Sequence, residues 1–406
     1  WILKNTKGDV PDHVGQLLQA MARIATEELQ AESLLLCLDS MITFIRCMPT
    51  QKFNGEIVTS LIACALKLWQ NHSQDAYISS YVLDILQAIV SHPTEEILGV
   101  ACREGVPLIQ QVLTAPELES EKSTAIDLFE IFIAASSKYP RPVSEQGSIL
   151  ANLLQACYPA LMELLLQLPI HADLIIASGT KCLFTIYHRG LEVLEGQDRS
   201  AISTEQAQQL LPLTLKFTSK LLADDASDMV CMDVGPLLSI LLIRCPSIFL
   251  SSEEAFNSLL TTIVMRVQRA QMFDVQQGLF SVIARLLCMN VEATVQYLHK
   301  AGLFENILRF WISEYPQFCE QYIGKLSVLS FGHLLMTPCS QELLGKIAIP
   351  VQIESATKRV TRSAAKQKAN ADQWKQVPAP NRLIELLLGE FLTSCENEED
   401  GENFDD

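Results

Sequence analysis

Apolar residues recur three and four positions apart along most of the chain, in segments that end at short polar breaks. This spacing is the period of an amphipathic α-helix, and each segment has a helical length of roughly fifteen to twenty residues. Met48-Pro49 closes the second segment and His92-Pro93 closes the fourth, so helix pairs recur about every forty residues. The alternation of apolar and polar residues that is typical of strands is almost absent. The sequence therefore predicts an all-α fold.

Helix pairs with this period, and without the short consensus of tetratricopeptide or ankyrin repeats, are typical of HEAT and armadillo solenoids. One pair cannot bury its own apolar face, so neighbouring pairs stack on one another. We therefore predict a HEAT-repeat superhelical solenoid of antiparallel helix pairs over residues 1–350, in which the second helix of each pair lines a concave contact surface. Two unrelated helical bundles joined by short loops are the alternative.

The end of the chain departs from this pattern. Residues 351–378 are rich in basic residues, which predicts a basic inter-repeat loop, and residues 379–395 have the period of a helix of a further repeat. Residues 396–406 contain no basic residue, which predicts the start of a solvated acidic loop. Because the sequence starts at Trp1 and stops inside this acidic run, we expect a fragment of a longer chain.

The formal net charge of −17 disfavours direct binding to nucleic acid and favours a basic protein partner. Acidic residues concentrate in the run after residue 395, where a role in solubility alone is the alternative, and in a turn from Asp224 to Asp233, where helix capping is the alternative. The basic loop is a third candidate contact, with a plain flexible loop as its alternative. The candidate cargo-binding residues are Glu396, Glu398, Glu399, Asp400, Glu402, Asp405, Asp406, Asp224, Asp225, Asp228, Lys358, Arg359, Arg362, Lys366 and Trp374.

No residue pattern of the sequence indicates catalysis. The twelve cysteines are scattered singly in apolar segments, which predicts buried thiols, no disulfide and no metal site. Glycine-rich phosphate loops are missing, and Ser178-Gly179 lies inside a helical pattern, where a serine nucleophile needs a strand-turn-helix unit. No run of about eighteen apolar residues indicates a membrane span. We expect no enzymatic activity, no cofactor, and no direct contact with nucleic acid or membrane.

Several stretches resemble one known family, most clearly over residues 260–400. Residues 267–271 (VQRAQ), 310–313 (FWIS) and 321–327 (QYIGKLS) resemble late HEAT repeats of the importin-β (karyopherin-β) superfamily, in its importin-nine branch. Residues 361–366 (TRSAAK) and 382–387 (RLIELL) resemble the inter-repeat loop and the following helix of that branch. The acidic run falls where the family carries its acidic loop.

The resemblance implies a nuclear import receptor that encloses basic cargo, such as core histone dimers and ribosomal proteins, and carries it through nuclear pores. It implies that Ran GTPase and nucleoporins are partners of the full-length receptor, and that the receptor shuttles between cytoplasm and nucleus. The Ran-binding repeats of the family lie nearer its amino terminus, so we expect this fragment to lack them. A HEAT-repeat scaffold subunit of a stable protein complex is the alternative function.

Overall fold

The computed structural model describes residues 13–27, 30–92, 94–117, 119–138, 149–190, 193–194, 197–198, 204–246, 253–318, 321–352 and 374–401. The chain divides into two compact units, Trp1–Arg244 and Cys245–Asp406. Their boundary falls inside the range 1–350, which the sequence assigns to one array.

The first unit is built from helices with short connections. They are α1 Val14–Ala25, α2 Ala31–Cys47, α3 Gly55–His72, α4 Ala76–Val90, α5 Glu95–Thr114, α6 Lys122–Ser136, α7 Ile149–Gln167, α8 Asp173–Gly190, α9 Thr204–Leu221, α10 Asp228–Cys231 and α11 Val234–Arg244. Short 3-10 turns lie at Thr50–Lys52 and Glu119–Glu121, and β1 Val193–Leu194 pairs with β2 Gln197–Asp198.

Contacts divide these helices into two rows. In the first row, α1, α3, α5, α7 and α9 each pack against the next, and in the second row α2, α4, α6, α8 and α11 do the same. Helices that follow each other in the chain, such as α3 and α4, pair across the rows. Stacked helix pairs of this kind are the architecture of a helical repeat array. The prediction of an all-α fold built from helix pairs is therefore confirmed.

Local sequence determines where several of these helices begin. The Asn54 side chain accepts a hydrogen bond from the Ile57 amide at 3.0 Å at the start of α3, and Asp75 caps α4 in the same way. Such caps satisfy amides that lack a helical partner, and each stabilises the fold by about 1 kcal/mol.

Prolines lie inside α5, α7 and α9, which are neighbours in the first row. Because each proline removes one helical hydrogen bond, this row depends strongly on its packing.

Polar contacts also connect α7, α8 and α9 inside the first unit. The Tyr158 hydroxyl donates to the Leu210 carbonyl oxygen at 2.6 Å, and the hydroxyls of Tyr158 and Tyr187 each lie 3.0 Å from Thr214 Oγ1. Lys220 Nζ donates to three carbonyl oxygens at the carboxyl end of α7. Since the last carbonyls of a helix have no helical partner, this lysine acts as a cap supplied by a neighbouring helix.

The second unit continues with helix pairs and adds one strand pair. Its helices are α12 Glu253–Arg269, α13 Phe273–Met289, α14 Val291–Lys300, α15 Phe304–Glu314, α16 Gln321–Met336, α17 Pro338–Leu344 and α18 Ala379–Gly401, with a 3-10 turn at Tyr315–Gln317. Strand β3 Ala348–Gln352 pairs antiparallel with β4 Trp374–Pro378, so that Ala348 lies opposite Pro378 and Gln352 opposite Trp374. The helices α13, α16 and α18 pack side by side.

Aromatic side chains fill the core of the second unit. The Phe280 ring lies 5.3 Å from that of Trp311, and the Trp311 ring lies 4.9 Å from that of Phe331. Helix α18 is attached to this core at two points. The Ala379 amide donates to the Ile347 carbonyl oxygen at 2.9 Å, and the Tyr315 hydroxyl donates to Glu390 Oε1 at 2.7 Å. Burial, followed by the contact with Glu390, raises the pKa of Tyr315.

Several helix boundaries differ from the helical period of the sequence. That period runs from Ala172 to Leu194, but helix α8 ends at Gly190 and strand β1 begins at Val193. The period also runs from Met229 to Ile243, where the structure has the two helices α10 and α11. Helix α14 was not predicted; the Asn290 side chain caps it by accepting from the Ala293 amide at 3.1 Å.

The end of the chain shows the largest differences. The residues that flank the basic segment form the strands β3 and β4, where the sequence predicted loop. Helix α18 extends to Gly401, so the backbone of residues 396–401 is helical, where the sequence predicted the start of a solvated loop. Glutamate has a high helix propensity, and a run of glutamates can therefore continue a helix without packing.

Among the described residues, helix α7 is long and apolar enough to cross a membrane, by length and composition alone. The bent pair of α13 and α14 also has this length and composition when the two helices are counted as one span. The sequence prediction overlooked α7 because Glu163 interrupts its apolar run. Helix α7 packs against α5, α6, α8 and α9, and Leu153, Leu161 and Leu165 are fully buried in these contacts. These contacts are those of a core helix in a repeat array.

Candidate acidic groove on the second row of helices

A groove with a volume of about 480 Å³ runs across α4, α6 and α8, three successive helices of the second row. Its lining carries the carboxylates of Asp84, Asp127 and Glu130 and the cations of Lys138, Lys181 and Arg189. Asp127 and Glu130 come from the middle of α6, whose other face contributes Phe129 and Phe132 to the core. The helical period thus places the two acids together on the solvent side of an otherwise buried helix.

Glu130 is held by two donors. Lys181 Nζ on α8 lies 2.9 Å from Glu130 Oε2, and the Thr185 hydroxyl donates to Glu130 Oε1 at 2.9 Å. The Glu130 side chain is 15% exposed, whereas that of Lys181 is 61% exposed. The hydrogen bond from Thr185 therefore fixes the Glu130 carboxylate on the protein side, and the ammonium group of Lys181 lies on the solvent side.

Two further carboxylates act on the same lysine. Burial raises the pKa of Asp127 above its usual value, against the hydrogen bond from Ser178 and the charge of Lys181, while Glu130 adds to the rise. Burial also raises the pKa of Asp233, and Lys181 again opposes the shift. The hydrogen bond to Glu130 raises the pKa of Lys181, and the charges of Asp127 and Asp233 contribute to this rise. The four side chains form one electrostatic cluster, which we call the acidic cluster.

The acidic cluster is suited to hold cations from a partner. Within the cluster, three carboxylates act on a single ammonium group, while the cations of Lys138 and Arg189 lie elsewhere in the lining of the groove. Hydrogen bonds from Thr185 and Ser178 fix two of the carboxylates. Acceptors that are already fixed lose little conformational freedom when they bind. An ammonium or guanidinium group therefore has pre-arranged acceptors at this point of the second row.

The predicted acidic turn, from Asp224 to Asp233, lies in the first unit and shares Asp233 with the acidic cluster. Asp224 and Asp225 are exposed in the turn after α9, and the half-buried Asp228 begins α10. Asp233, from the same stretch, is the one that interacts electrostatically with Lys181. The turn thus contributes one of its carboxylates to the acidic cluster.

The other predicted site residues lie in the second unit. Glu396, Glu398, Glu399 and Asp400 belong to the backbone of α18, and Trp374 belongs to β4, where its backbone is paired with Gln352. The remaining seven residues lie outside the described part of the chain, namely Lys358, Arg359, Arg362, Lys366, Glu402, Asp405 and Asp406. Their role in binding remains a prediction.

Sequence reasoning missed Asp127, Glu130 and Lys181. A signal was present, because Asp127 and Glu130 are the only charged residues between Ala125 and Ser137, three positions apart in an otherwise apolar helix. Lys181 could not be assigned to them from the sequence, since only the packing of α6 against α8 brings it near.

A second groove of about 640 Å³ lies in the second unit, between α12 and α14. Its charged lining consists of Glu253 and Lys300, together with uncharged residues such as Asn257, Gln296 and Tyr297. The charges of the lining balance in both grooves. The groove across the second row differs in that hydrogen bonds from Thr185 and Ser178 fix two of its carboxylates.

Comparison with known proteins finds similarity to an importin subunit. No protein-family model matches the chain. Importin subunit beta-5 of Saccharomyces cerevisiae is 24% identical over 184 residues, which are 44% of this chain and 18% of that protein. The chain is thus similar to an importin β subunit. The matched stretch spans less than a fifth of the relative's length, and the similarity supports the importin-β, HEAT-repeat resemblance only at the level of the superfamily.

Among solved structures, that of an engineered protein covers 95% of this chain and 98% of its own chain, at 13% identity and a TM-score of 0.33. A score this low supports no conclusion about the fold or the function.

Proposed function

We propose that this chain is part of a nuclear import receptor of the importin-nine type that binds basic protein cargo, without catalysing a reaction. The single observation that carries the proposal is the acidic cluster on the second row of helices, where Asp127, Glu130 and Asp233 lie around one lysine. The similarity to an importin β subunit supports transport as the purpose of this binding. Core histone dimers and ribosomal proteins are the proposed cargo, since both are rich in lysine and arginine.

The proposal assigns distinct tasks to the two acidic features. The fixed carboxylates of the groove bind individual cations, and the acidic run from Glu396 onward attracts basic segments over a longer distance. Both contributions weaken with added salt, because counterions screen the charges over about 8 Å at physiological ionic strength. Ran GTPase and nucleoporins act through the longer receptor, which shuttles between cytoplasm and nucleus.

A scaffold subunit of a stable protein complex is the second candidate function. The observation that favours it is the exposure of large apolar side chains on α18, including Leu388 and Phe391. Stable complexes bury apolar surface of this kind. Such a complex resists salt, whereas cargo binding through carboxylates does not, so the salt dependence of binding separates the two functions.

The test is a titration of the chain with purified core histone dimers, followed by fluorescence anisotropy at low salt and at about 0.15 M salt. We expect salt-sensitive binding that weakens about 5- to 30-fold in the double variant Asp127→Asn, Glu130→Gln, because two charge contacts of about 0.5–1 kcal/mol each are lost. Deleting residues 396–406 should weaken binding further at low salt.

The matched control is Glu342→Gln, which removes one carboxylate from a fully exposed ion pair with Lys346 on α17. It removes one charge outside the groove, so it is matched to the single variant Glu130→Gln, for which we expect a loss of about 2- to 5-fold. Equal losses in Glu130→Gln and in the control would show that only net charge matters, and would refute a binding site in the groove. Absence of histone binding at any salt concentration would refute the cargo function and favour the scaffold.

A further inference from the structure

Helix α18 exposes an apolar stripe in the second unit. Ile384, Leu388, Phe391 and Leu392 are 46%, 56%, 65% and 61% exposed. Their spacing of four, three and one places them on one side of the helix. Among the described residues, no other helix exposes four large apolar side chains, and a cluster of this kind marks an interaction surface.

The stripe is fixed in place by the first turns of the helix. Ala379 and Leu383 are fully buried, and the Ala379 amide is bonded to the Ile347 carbonyl beside β3. Farther along, Glu390 receives the hydrogen bond from Tyr315. The helix is thus docked on its unit along one side, and the apolar side chains of its other side are available for a partner.

Charge distinguishes the two ends of the helix. At the amino-terminal end, Arg382 forms an ion pair with Glu385 at 2.9 Å. Beyond Arg382 the sequence contains no lysine or arginine, and the helical backbone from 396 to 400 carries four carboxylates. A helix has a partial negative charge at its carboxyl end, and the sequence of residues 396–400 is acidic as well. Both features attract a partner with cations at this end.

We propose that α18 docks an amphipathic helix of a partner protein, whose apolar face covers Ile384, Leu388, Phe391 and Leu392 and whose lysines or arginines face residues 396–400. The negative carboxyl end selects a partner that is basic at one end, and the apolar stripe requires a helical spacing of its apolar residues. The inference rests on the proposed function only for the basic character of the partner. It names a separate contact, in the second unit.

The probe is a synthetic helical peptide with leucines spaced by four and three positions and lysines in its last two turns. Binding to the full 406-residue chain is measured by fluorescence anisotropy. We expect the double variant Leu388→Asp, Phe391→Asp to weaken binding about 10- to 100-fold at every salt concentration, because two buried apolar side chains are lost. The double variant Glu398→Gln, Glu399→Gln should weaken it about 3- to 10-fold, and at low salt only.

Leu36→Asp on α2 is the matched control, since Leu36 is 71% exposed and lies in the other unit; it should leave binding unchanged. Circular dichroism should show that all variants are as helical as the unsubstituted chain. The proposal is overturned if the Leu388→Asp, Phe391→Asp variant binds normally, or if a peptide with scrambled leucines binds equally well. It is also overturned if sedimentation shows a dimer that these substitutions dissociate, because the occupant would then be a second copy.

The groove variant Asp127→Asn, Glu130→Gln separates this inference from the proposed function. It should reduce binding of histone dimers and leave binding of the peptide intact. Peptide binding without histone binding would refute only the proposed cargo, whereas histone binding together with peptide binding that does not depend on Leu388 and Phe391 would refute only the docking site on α18.

Discussion

Lys181 is expected to weaken cargo binding, although it forms an ion pair in the groove. Its ammonium group occupies the solvent side of the Glu130 carboxylate at 2.9 Å. A cargo cation bound to the same carboxylate would lie roughly 4 Å from this ammonium group, where two like charges repel by about 1 kcal/mol in water. The value for water applies because the Lys181 side chain is 61% exposed.

The substitution Lys181→Met removes this repulsion and keeps most of the aliphatic side chain. Binding of core histone dimers should tighten about 5-fold at low salt, and about 3-fold at physiological ionic strength because of screening. Stability should change in the opposite direction, by a loss of about 0–1 kcal/mol, since an ion pair with one exposed partner contributes little. Thr185 still donates to Glu130 in the variant.

Anisotropy titrations give the affinity, and urea unfolding gives the stability. The control is Lys346→Met, which removes a lysine from the exposed pair with Glu342 and alters the net charge by the same amount. Tighter binding in both variants would indicate a general charge effect. Unchanged or weaker binding of Lys181→Met, with the fold intact, would refute the idea that this lysine competes with cargo.

Three further predictions concern stability. The pKa of Asp127 is raised in the folded chain, so its stabilising contribution is present below the unfolded pKa near 3.8 and is lost as the pH rises; urea unfolding should show that Asp127→Asn is more stable at neutral pH and loses this advantage in acid. Burial lowers the pKa of His92, which stacks on Phe53, so stability should fall as the pH drops below 6.5, and His92→Gln should remove this dependence in the same assay. Gly179→Ala would place its Cβ 2.5 Å from a methyl group of Leu165 and should cost about 1–3 kcal/mol, whereas Gly324→Ala, with open space around it, should stabilise by about 0.5–1 kcal/mol in thermal melts.

The two rows of helices could be predicted because the apolar period records which face of each helix is buried. The segments that Met48-Pro49 and His92-Pro93 close correspond to α2 and α4, which are neighbours in the second row. Helix boundaries could not be predicted where a capping side chain interrupts the apolar period. Asn290 is an example, because it ends α13 and its side chain caps α14.

The groove could not be predicted because its residues come from helices that only the stacking brings together. Asp127 and Lys181 are distant in sequence, and nothing in the residues around either one indicates the other. The prediction for the acidic end of the chain was wrong for a different reason. Its charge predicts a solvated loop, although glutamate favours the helix that the structure shows.

The carboxylates of the acidic cluster reduce the stability of the folded chain, and this cost makes them suited to bind a cation. Burial raises the pKa of both Asp127 and Asp233, so each charge lies where its ionised form is disfavoured. One ammonium, mostly in solvent, compensates three carboxylates only in part. An array built for stability alone would have apolar or neutral side chains at these positions. In the proposed function, a basic partner lowers this electrostatic cost when it binds, so part of the free energy that the folded chain loses at the cluster contributes to the affinity.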